Sequence, residues 1–509
     1  MSISSVIKSI QDIMRKDAGV DGDAQRLGQM SWLLFLKIFD AQEEALEFEL
    51  DGFNGSDSYQ APIPTEYLWR SWAADNEGIT GDELLEFVND QLFTDLKNLT
   101  APINLNPRGY VVREAFSDAF NYMKNGTLLR QVINKLNEID FTDSKERHLF
   151  GDLYEQILKD LQSAGNAGEF YTPRAITKFI VDRMDPQLGE SIMDPACGTG
   201  GFLACAFDHV KEKYVKTAED HQTLQKQIHG VEKKQLPHLL CTTNMLLHGI
   251  EVPVQVKHGN TLNKPLSSWD DEIDVIVTNP PFGGTEEDGI EKNFPADTRT
   301  RETADLFLQL IIEVLASPSG TGDNAKAGGR AAVVLPDGTL FGEGVKTKIK
   351  KLLTEECNLH TIVRLPNGVF NPYTGIKTNI LFFTKGDGTP ETATKKVWFY
   401  EHPYPAGVKN YNKTKPMKFE EFQTEIDWWG NEADGFASRV ETEQAWQVSI
   451  DDIIARNFNL DIKNPHIEET VSHDPQELLS DYAKQQDDIQ ALRDQLKGIL
   501  SSALASDGK

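Results

Sequence analysis

The chain has 509 residues, enough for two or three domains with separate cores, and its 39% hydrophobic and 26% charged residues are typical of a soluble globular protein. Its formal net charge of −28 argues against a protein that binds nucleic acid alone, because such proteins hold phosphates with lysine and arginine. The four cysteines include no CxxC pair, so neither a disulfide framework nor a structural zinc site is expected, and a reducing cytoplasm fits.

Residues 1–145 are predicted to form an all-helical domain. Apolar residues at helical spacing mark a first helix up to Met14, residues 19–23 break the pattern, and residues 27–46 form a second, strongly apolar helix. The apolar run over residues 32–39 is far too short to span a membrane, and no signal peptide is expected before it. No catalytic group of residues stands out here, which favours an accessory domain.

The pattern changes after residue 140, and residues 146–465 are predicted to form an α/β domain. A helix is expected over residues 146–163, and a glycine-containing loop leads from it to Thr172, which can cap a helix that has Pro173 at its first position. Short apolar strands then alternate with helices, which defines a doubly wound, Rossmann-like sheet. The strands are predicted over residues 191–194, 228–231, 252–256, 273–277, 330–335, 359–365 and 378–384.

Acidic and glycine residues follow the first two of these strands. The first strand ends at Asp194, and the turn after it contains Gly198, Thr199, Gly200 and Gly201. Glycines let a ligand approach the backbone closely, and the acid before them favours a cationic or hydroxyl-bearing ligand over a phosphate. Glu232 ends the second strand, where a carboxylate can accept hydrogen bonds from both hydroxyls of a ribose, although exposed surface glutamates are also common there.

The fourth strand must stop at Asn279-Pro280-Pro281-Phe282, because neither proline can donate a hydrogen bond to a sheet. Ligands of open α/β sheets bind outside the carboxyl ends of strands. The Asn279 side-chain oxygen and the Pro280 carbonyl can each accept one hydrogen of an exocyclic NH2 group, while Phe282 stacks on a planar ring. Taken alone, the motif is equally compatible with a plain exit from a strand into a turn. The polar segment 283–300 is long enough to form a mobile lid beside the site.

Residues 466–509 are predicted to form a separate helical tail. From Leu478 to Ile499, apolar residues alternate in steps of four and three, with one polar position at Gln485, which is the pattern of a heptad seam. The seam is only about three heptads long, so it can pack on its own domain or dock on a helix of a partner.

The motifs at residues 170–173, 194–202 and 279–282 occur in the order found in the modification (methyltransferase) subunit of type I DNA restriction-modification systems, and the chain resembles that family. Residues 32–37 and 456–461 also look like it, so the resemblance covers nearly the whole chain. The three central motifs are weak signals singly, but their order is specific. The family depends on S-adenosylmethionine and methylates N6 of adenine in DNA.

This resemblance implies a role for each motif. It implies that the cofactor is lined by Glu169, Phe170, Tyr171, Thr172, Pro173, Arg174, Gly198, Thr199, Gly200 and Gly201. Asp194 would sit under the amino-acid end of the cofactor, and Glu232 would hold its ribose. Position 260 is Asn260, where many members of the family have aspartate, and it would lie at the cofactor's adenine. The catalytic residues Asn279, Pro280, Pro281 and Phe282 would take the target base, and no metal ion would be needed.

The resemblance also implies partners. A separate specificity subunit would read the DNA sequence and bind two modification subunits, and a motor-nuclease subunit would join for restriction. Such a partner makes the net charge of −28 tolerable in a protein that acts on DNA. Two other functions remain open from the residues alone. One is an amino-methyltransferase for an RNA base or a protein glutamine, and the other is a non-catalytic scaffold that binds the cofactor.

Overall fold

The structure is a computed structural model in which short gaps separate the described residues. These are residues 3–54, 59–141, 154, 172–269, 273–320, 325–371, 374–412 and 415–466, with isolated tail positions between 486 and 497. They divide into two compact units, Met1–Ile462 and Lys463–Lys509. The helix predicted over residues 146–163, except for Tyr154, and the predicted cofactor residues Glu169, Phe170 and Tyr171 lie outside the described residues.

The N-terminal region is helical, as predicted. Its α-helices are Ile3–Met14 (α1), Asp23–Asn54 (α2), Trp69–Trp72 (α3), Gly81–Glu86 (α4), Phe93–Lys97 (α5), Pro107–Phe116 (α6) and Gly126–Asn137 (α7), with a π-helix over Phe87–Leu92. Helix α2 extends beyond the predicted residues 27–46 at both ends. Its acidic C-terminal half is held by Arg70, whose guanidinium lies 2.8 Å from Asp40 and 2.5 Å from Glu47. Apolar periodicity does not report such ion pairs, so the prediction ended the helix too early.

A mixed nine-stranded sheet follows the helical region. Its strands are Ile192–Asp194 (β1), Ile228–Glu232 (β2), Val256–His258 (β3), Val275–Thr278 (β4), Arg330–Pro336 (β5), Cys357–Arg364 (β6), Thr378–Lys385 (β7), Lys396–Glu401 (β8) and Ala445–Ser449 (β9). Their order is β3-β2-β1-β4-β5-β7-β6-β8-β9. Strands β1 to β5 are parallel, whereas β7 is antiparallel to both β5 and β6. The predicted α/β class and doubly wound sheet are confirmed.

Two parts of the strand prediction are wrong. The third strand begins at Val256 rather than at residue 252, because Val252 and Val254 pack against the helical N-terminal core. The strand predicted over residues 378–384 is not the last one, since β8 pairs in parallel with β6 and β9 pairs antiparallel with β8. Strand β8 contains a continuous apolar run, so its pattern was readable, whereas β9 has a partly polar sequence at the sheet edge.

Helices cover both faces of the sheet. They are Arg174–Met184 (α8), Gly201–Tyr214 (α9), Ala218–Gln227 (α10), Gln235–His248 (α11), Thr303–Val314 (α12), Asp337–Phe341 (α13), Val345–Glu356 (α14), Gln423–Trp428 (α15) and Ile450–Ala455 (α16). One apolar core contains Phe179 of α8 and Phe207 of α9, and the other contains Leu308 of α12 and Leu353 of α14. The central strands are therefore buried on both faces, which explains their continuous apolar sequences.

The helical region packs on α11, which starts directly after β2. Leu239 and Leu246 of α11 belong to the N-terminal apolar core. Gln42 of α2 donates a hydrogen bond to the Leu246 carbonyl at 3.0 Å, and Gln235 of α11 donates to the Glu114 carbonyl at 2.8 Å. These contacts make the N-terminal helices and the sheet one compact unit. Within the described ranges, none of the helices has the length and apolar character needed to cross a membrane.

Candidate active site

The carboxyl ends of β1, β2, β3 and β4 lie side by side at one edge of the sheet, because these strands are parallel and adjacent. A cavity of about 140 Å³ lies at this edge, where open α/β sheets bind ligands. Six of the predicted site residues line it, namely Gly198, Thr199, Glu232, Asn260, Asn279 and Pro281. The topology thus brings together residues that the sequence distributes over four strand ends.

The next predicted residues do not line this cavity themselves. Asp194 and Pro280 are buried beside it. Gly201 begins α9, and Pro173 directly precedes α8. Arg174 lines a separate, highly charged cleft together with side chains of α8 and α9.

Two glycines of the turn after β1 have different structural roles. Gly198 adopts φ 53°, its N–H donates to Glu232, and a Cβ atom built on it would meet nothing within 4 Å. Gly200 adopts φ 81°, and a Cβ atom there would lie 2.7 Å from the Cys241 sulfur. Gly198 therefore leaves space open, whereas Gly200 allows α9 to pack closely on α11.

Glu232 fastens the glycine turn to the start of α11. One carboxylate oxygen accepts from the backbone N–H of Gly198 at 2.9 Å, and the other accepts from the N–H of Lys234 at 2.7 Å. Hydrogen bonds to a carboxylate are stronger than those between neutral groups. The carboxylate is therefore held in a fixed orientation at the cavity wall.

Asp194 links β1 to β4 beneath the cavity. One of its oxygens accepts from the Thr278 hydroxyl at 2.6 Å and from the Ala196 N–H at 3.1 Å. Complete burial raises the pKa of the Asp194 carboxyl to about 7; the Thr278 and Ala196 hydrogen bonds lower it, and the nearby Glu232 charge raises it further. The carboxyl thus changes its charge in the physiological pH range.

Replacing Asp194 with asparagine is expected to stabilise the fold, with a gain that grows as the pH rises from about 5 to about 8. The folded chain keeps the Asp194 proton up to a pKa of about 7, whereas an unfolded aspartate loses it near about 3.9. The wild-type protein therefore loses stability between these pH values, by at most about 1.4 kcal/mol per pH unit, and Asp194→Asn removes this loss. Thermal unfolding of both proteins across this range measures the difference. A pH-independent difference in melting temperature would contradict the raised pKa.

Asn279 lies at the end of β4 with one side of its amide engaged. Its nitrogen donates to the Thr172 hydroxyl at 2.9 Å. Its oxygen is buried and has no hydrogen-bond partner among the residues that the structure describes. Thr172 therefore orients Asn279, and it does not cap α8 as predicted, because no side chain caps that helix.

Phe282 is buried rather than presented to the cavity. It is 8% exposed, and its ring meets the Phe370 ring edge to face at a centroid distance of 5.5 Å. Pro281, immediately before it, is exposed and lines the cavity. The two residues of the motif thus face different surroundings.

Several residues at the cavity were not predicted. They include Lys233, Lys234, Pro237, Glu286, Thr303 and Phe307. Glu286 comes from the segment predicted as a lid, and its side chain, 10% exposed, accepts hydrogen bonds from Asn260, Lys233 and Thr303. Its proximity to the Asn-Pro-Pro-Phe motif was the only available sequence signal. Within the described part of the chain, no group of three or more His, Cys, Asp or Glu side chains is placed to hold a metal ion.

The strand order, with antiparallel β7 inserted between β5 and β6, and the Asn-Pro-Pro-Phe corner after β4 are consistent with the amino-group methyltransferase that the sequence motifs resemble. Comparison with known proteins narrows this class. The model of the N-6 DNA methylase family matches residues 145–474, and the model of the HsdM N-terminal domain matches residues 3–136.

The relatives agree with both family models. The chain is 80% identical over 505 residues to the type I restriction enzyme EcoEI methylase subunit of Escherichia coli, covering 99% of each chain. A modification subunit assigned to a type I restriction enzyme of Vibrio vulnificus YJ016 is 45% identical, with a TM-score of 0.80 over 92% of this chain and 98% of that one. A structure from a study of complex assembly in the type I R-M system is 35% identical, with a TM-score of 0.79 over 98% of each chain.

The chain belongs to the N-6 DNA methylase family, as a methylase subunit of a type I restriction-modification enzyme. The resemblance inferred from the three motifs is thereby confirmed. The alternatives of an RNA or glutamine methyltransferase and of a non-catalytic scaffold are not favoured by these relatives.

Proposed function

We propose that this chain transfers the methyl group of S-adenosylmethionine to N6 of an adenine flipped out of DNA, at the edge of the sheet where β1 to β4 end. The observation that supports this most directly is the buried Asn279 oxygen, which lacks a donor within the described residues. A buried acceptor without a donor costs free energy, so a ligand that brings a donor is the simplest reason to retain it. The exocyclic amine of adenine is such a donor.

The cavity suits the cofactor, which supplies a methyl group on a positively charged sulfur. Glu232 offers a carboxylate that can accept hydrogen bonds from ribose hydroxyls. Pro237 and Phe307 provide apolar walls for a flat base. Asp194 contributes a carboxyl group beneath the turn, suited to a cationic amino-acid end. The proposed lining is completed by Gly198, Thr199 and Asn260 at the cavity, and by Glu169, Phe170, Tyr171, Thr172, Pro173 and Gly201. Gly200 and Arg174 are left out of it, because Gly200 packs against Cys241 and Arg174 lines a separate cleft.

The Asn-Pro-Pro-Phe motif would activate the target base by hydrogen bonding. The N6 lone pair of adenine is delocalised into the ring, so the amine is a poor nucleophile. Asn279 and the Pro280 carbonyl would accept its two hydrogens, which favours a pyramidal nitrogen with its lone pair aimed at the methyl group. The base must leave the duplex at a cost of about a few kcal/mol, and Phe282 would stack on it only after its ring turns away from Phe370. Positioning and electrostatics then supply most of the rate enhancement.

We further propose that the chain works in a complex on DNA, in the cytoplasm. Two copies would bind one specificity subunit, and a motor-nuclease subunit would join for restriction. The net charge of −28 favours such a division, because a partner can supply the phosphate contacts. The domains would be 1–145 (helical), 146–465 (catalytic) and 466–509 (docking tail). The heptad seam from Leu478 to Ile499 supports the docking of the tail on a helix of a partner.

Transfer of a tritiated methyl group from S-adenosylmethionine tests this proposal. The full chain is incubated with duplex DNA, RNA or protein acceptors, alone and after co-expression with its specificity subunit. We expect label in DNA only, strongly increased by the specificity subunit, and recovered as N6-methyladenine after digestion to nucleosides. Label in RNA or protein, or none in DNA with the complete complex, would overturn the proposal.

A further inference from the structure

We propose that Glu286 recognises the exocyclic amine of the cofactor's adenine, and so selects an adenine nucleoside at this site. The inference rests on the proposed function, because it concerns the same cofactor cavity. Glu286 lies in the segment that directly follows the target-base motif at the end of β4. Its side chain reaches Lys233 after β2 and Asn260 after β3. Glu286 is thus a specificity residue supplied by the segment that follows the Asn-Pro-Pro-Phe motif.

The contacts of Glu286 identify it as an acceptor at the cavity. One carboxylate oxygen accepts from Asn260 at 3.1 Å and from Lys233 at 3.2 Å, and the other accepts from the Thr303 hydroxyl at 3.1 Å. A carboxylate offers about four acceptor positions, so these donors from the described residues use three of them. The side chain is nine-tenths buried and lines the cavity, which leaves acceptor capacity directed at a ligand.

Asn260 is poorly suited to the same task, although it occupies the position expected to meet the adenine. Its side-chain oxygen accepts from the Leu262 N–H at 3.0 Å, which caps a short 3-10 helix, and its nitrogen donates to Glu286. An asparagine has one acceptor oxygen where aspartate has two. The acceptor that an aspartate would supply at position 260 is therefore supplied by Glu286, and Asn260 holds that carboxylate in place.

The backbone around Glu286 fixes where its side chain can reach. The Glu286 N–H donates to the Arg301 carbonyl at 2.9 Å, and the Arg301 guanidinium donates back to the Glu286 carbonyl at 3.0 and 2.6 Å. Thr285 also pairs with Glu302 in an isolated antiparallel bridge. Residues 285–286 and 301–302 are thus joined to each other near the cavity. Phe307 and Pro237 form apolar walls of the same cavity. A flat base between these walls would present its edge to a preorganised carboxylate.

Calorimetry with two nucleoside probes tests the inference. S-adenosylhomocysteine carries the 6-amino donor, whereas S-inosylhomocysteine carries a 6-oxo acceptor that would face the carboxylate. We expect the full-length wild-type chain to bind the adenosyl probe at least about tenfold more tightly, because an acceptor facing an acceptor leaves buried polar groups unpaired. In Glu286→Gln the new NH2 group can donate to the 6-oxo oxygen, so the preference should fall below about threefold or reverse.

Glu287→Gln is the matched control. Glu287 is the next residue, its side chain is 78% exposed, and it also lies near Lys233, at 3.3 Å. This variant should keep the wild-type preference, and thermal unfolding should show that both variants fold. An unchanged preference in a folded Glu286→Gln variant would overturn the inference while leaving the proposed function intact. Failure of the wild-type chain to bind either probe would instead count against the proposed function.

Discussion

Asn279→Ala is expected to reduce methyl transfer by a factor on the order of 10³, while cofactor affinity stays within a few-fold of wild type. The variant removes the buried oxygen proposed to accept from the target amine, and this oxygen has no other partner within the described residues. The cofactor contacts proposed for Glu232 and Glu286 remain. Single-turnover transfer to cognate DNA by the complete complex measures the loss, and calorimetry with S-adenosylhomocysteine measures the affinity.

Thr172→Val tests the orientation of the Asn279 side chain separately from the presence of its oxygen. Thr172 accepts from the Asn279 nitrogen at 2.9 Å, so the valine leaves the oxygen present but free to rotate. We expect a smaller loss of methyl transfer than in Asn279→Ala, because the accepting oxygen is still present. If Asn279→Ala turned over at the wild-type rate, the proposed role of the motif would be wrong. If it lost cofactor affinity in proportion to activity, Asn279 would belong to the cofactor site instead.

Glu232→Gln is expected to weaken binding of S-adenosylhomocysteine by a factor on the order of 10². The two carboxylate oxygens accept from the N–H groups of Gly198 and Lys234, and an amide can accept at only one side. Its NH2 group would face one of these donors, so the glycine turn or the start of α11 must shift. The variant also loses the negative charge offered to the ribose hydroxyls.

Glu251→Gln is a suitable comparison for this variant, because it makes the same charge change at an exposed side chain. It should bind the nucleoside as the wild type does. Glu232→Gln should weaken the adenosyl and inosyl probes alike, since it acts on the ribose and the turn, whereas Glu286→Gln should change their ratio. Wild-type affinity in a folded Glu232→Gln variant would remove Glu232 from the cofactor site.

The strand ends could be predicted because parallel strands buried on both faces have continuous apolar sequences, and because prolines, acids and glycines end them. This is why Asp194, Glu232 and Asn279 were singled out before the sheet was known. The predicted strands also follow one another along the chain as β1 to β7. The start of β3 was misplaced because Val252 and Val254 are as apolar as strand residues, yet they are partly buried against the apolar core of the N-terminal region.

Other features depend on contacts between distant parts of the chain. Gly200 was expected to admit a ligand, but the space beside it is filled by Cys241 of α11. Thr172 was expected to cap a helix, but its hydroxyl meets Asn279, 107 residues later. Arg174 was expected at the cofactor, but it faces a different cleft. Local sequence determines that these residues are small, polar or charged, and it does not determine which partner they meet.

By itself, the sequence determined the class of fold, the end of each central strand and the three motifs that identify the family. These follow from short-range rules: an apolar run is buried, a proline cannot extend a ladder, and a glycine tolerates a turn. Only the tertiary structure decided that Glu286 meets Asn260 across the cavity, that the Asn279 oxygen is buried without a donor in the described chain, and that Asp194 bridges β1 to β4. The physical reason is that hydrogen-bond partners and burial depend on which strands become neighbours, and that order is set by packing of the whole sheet.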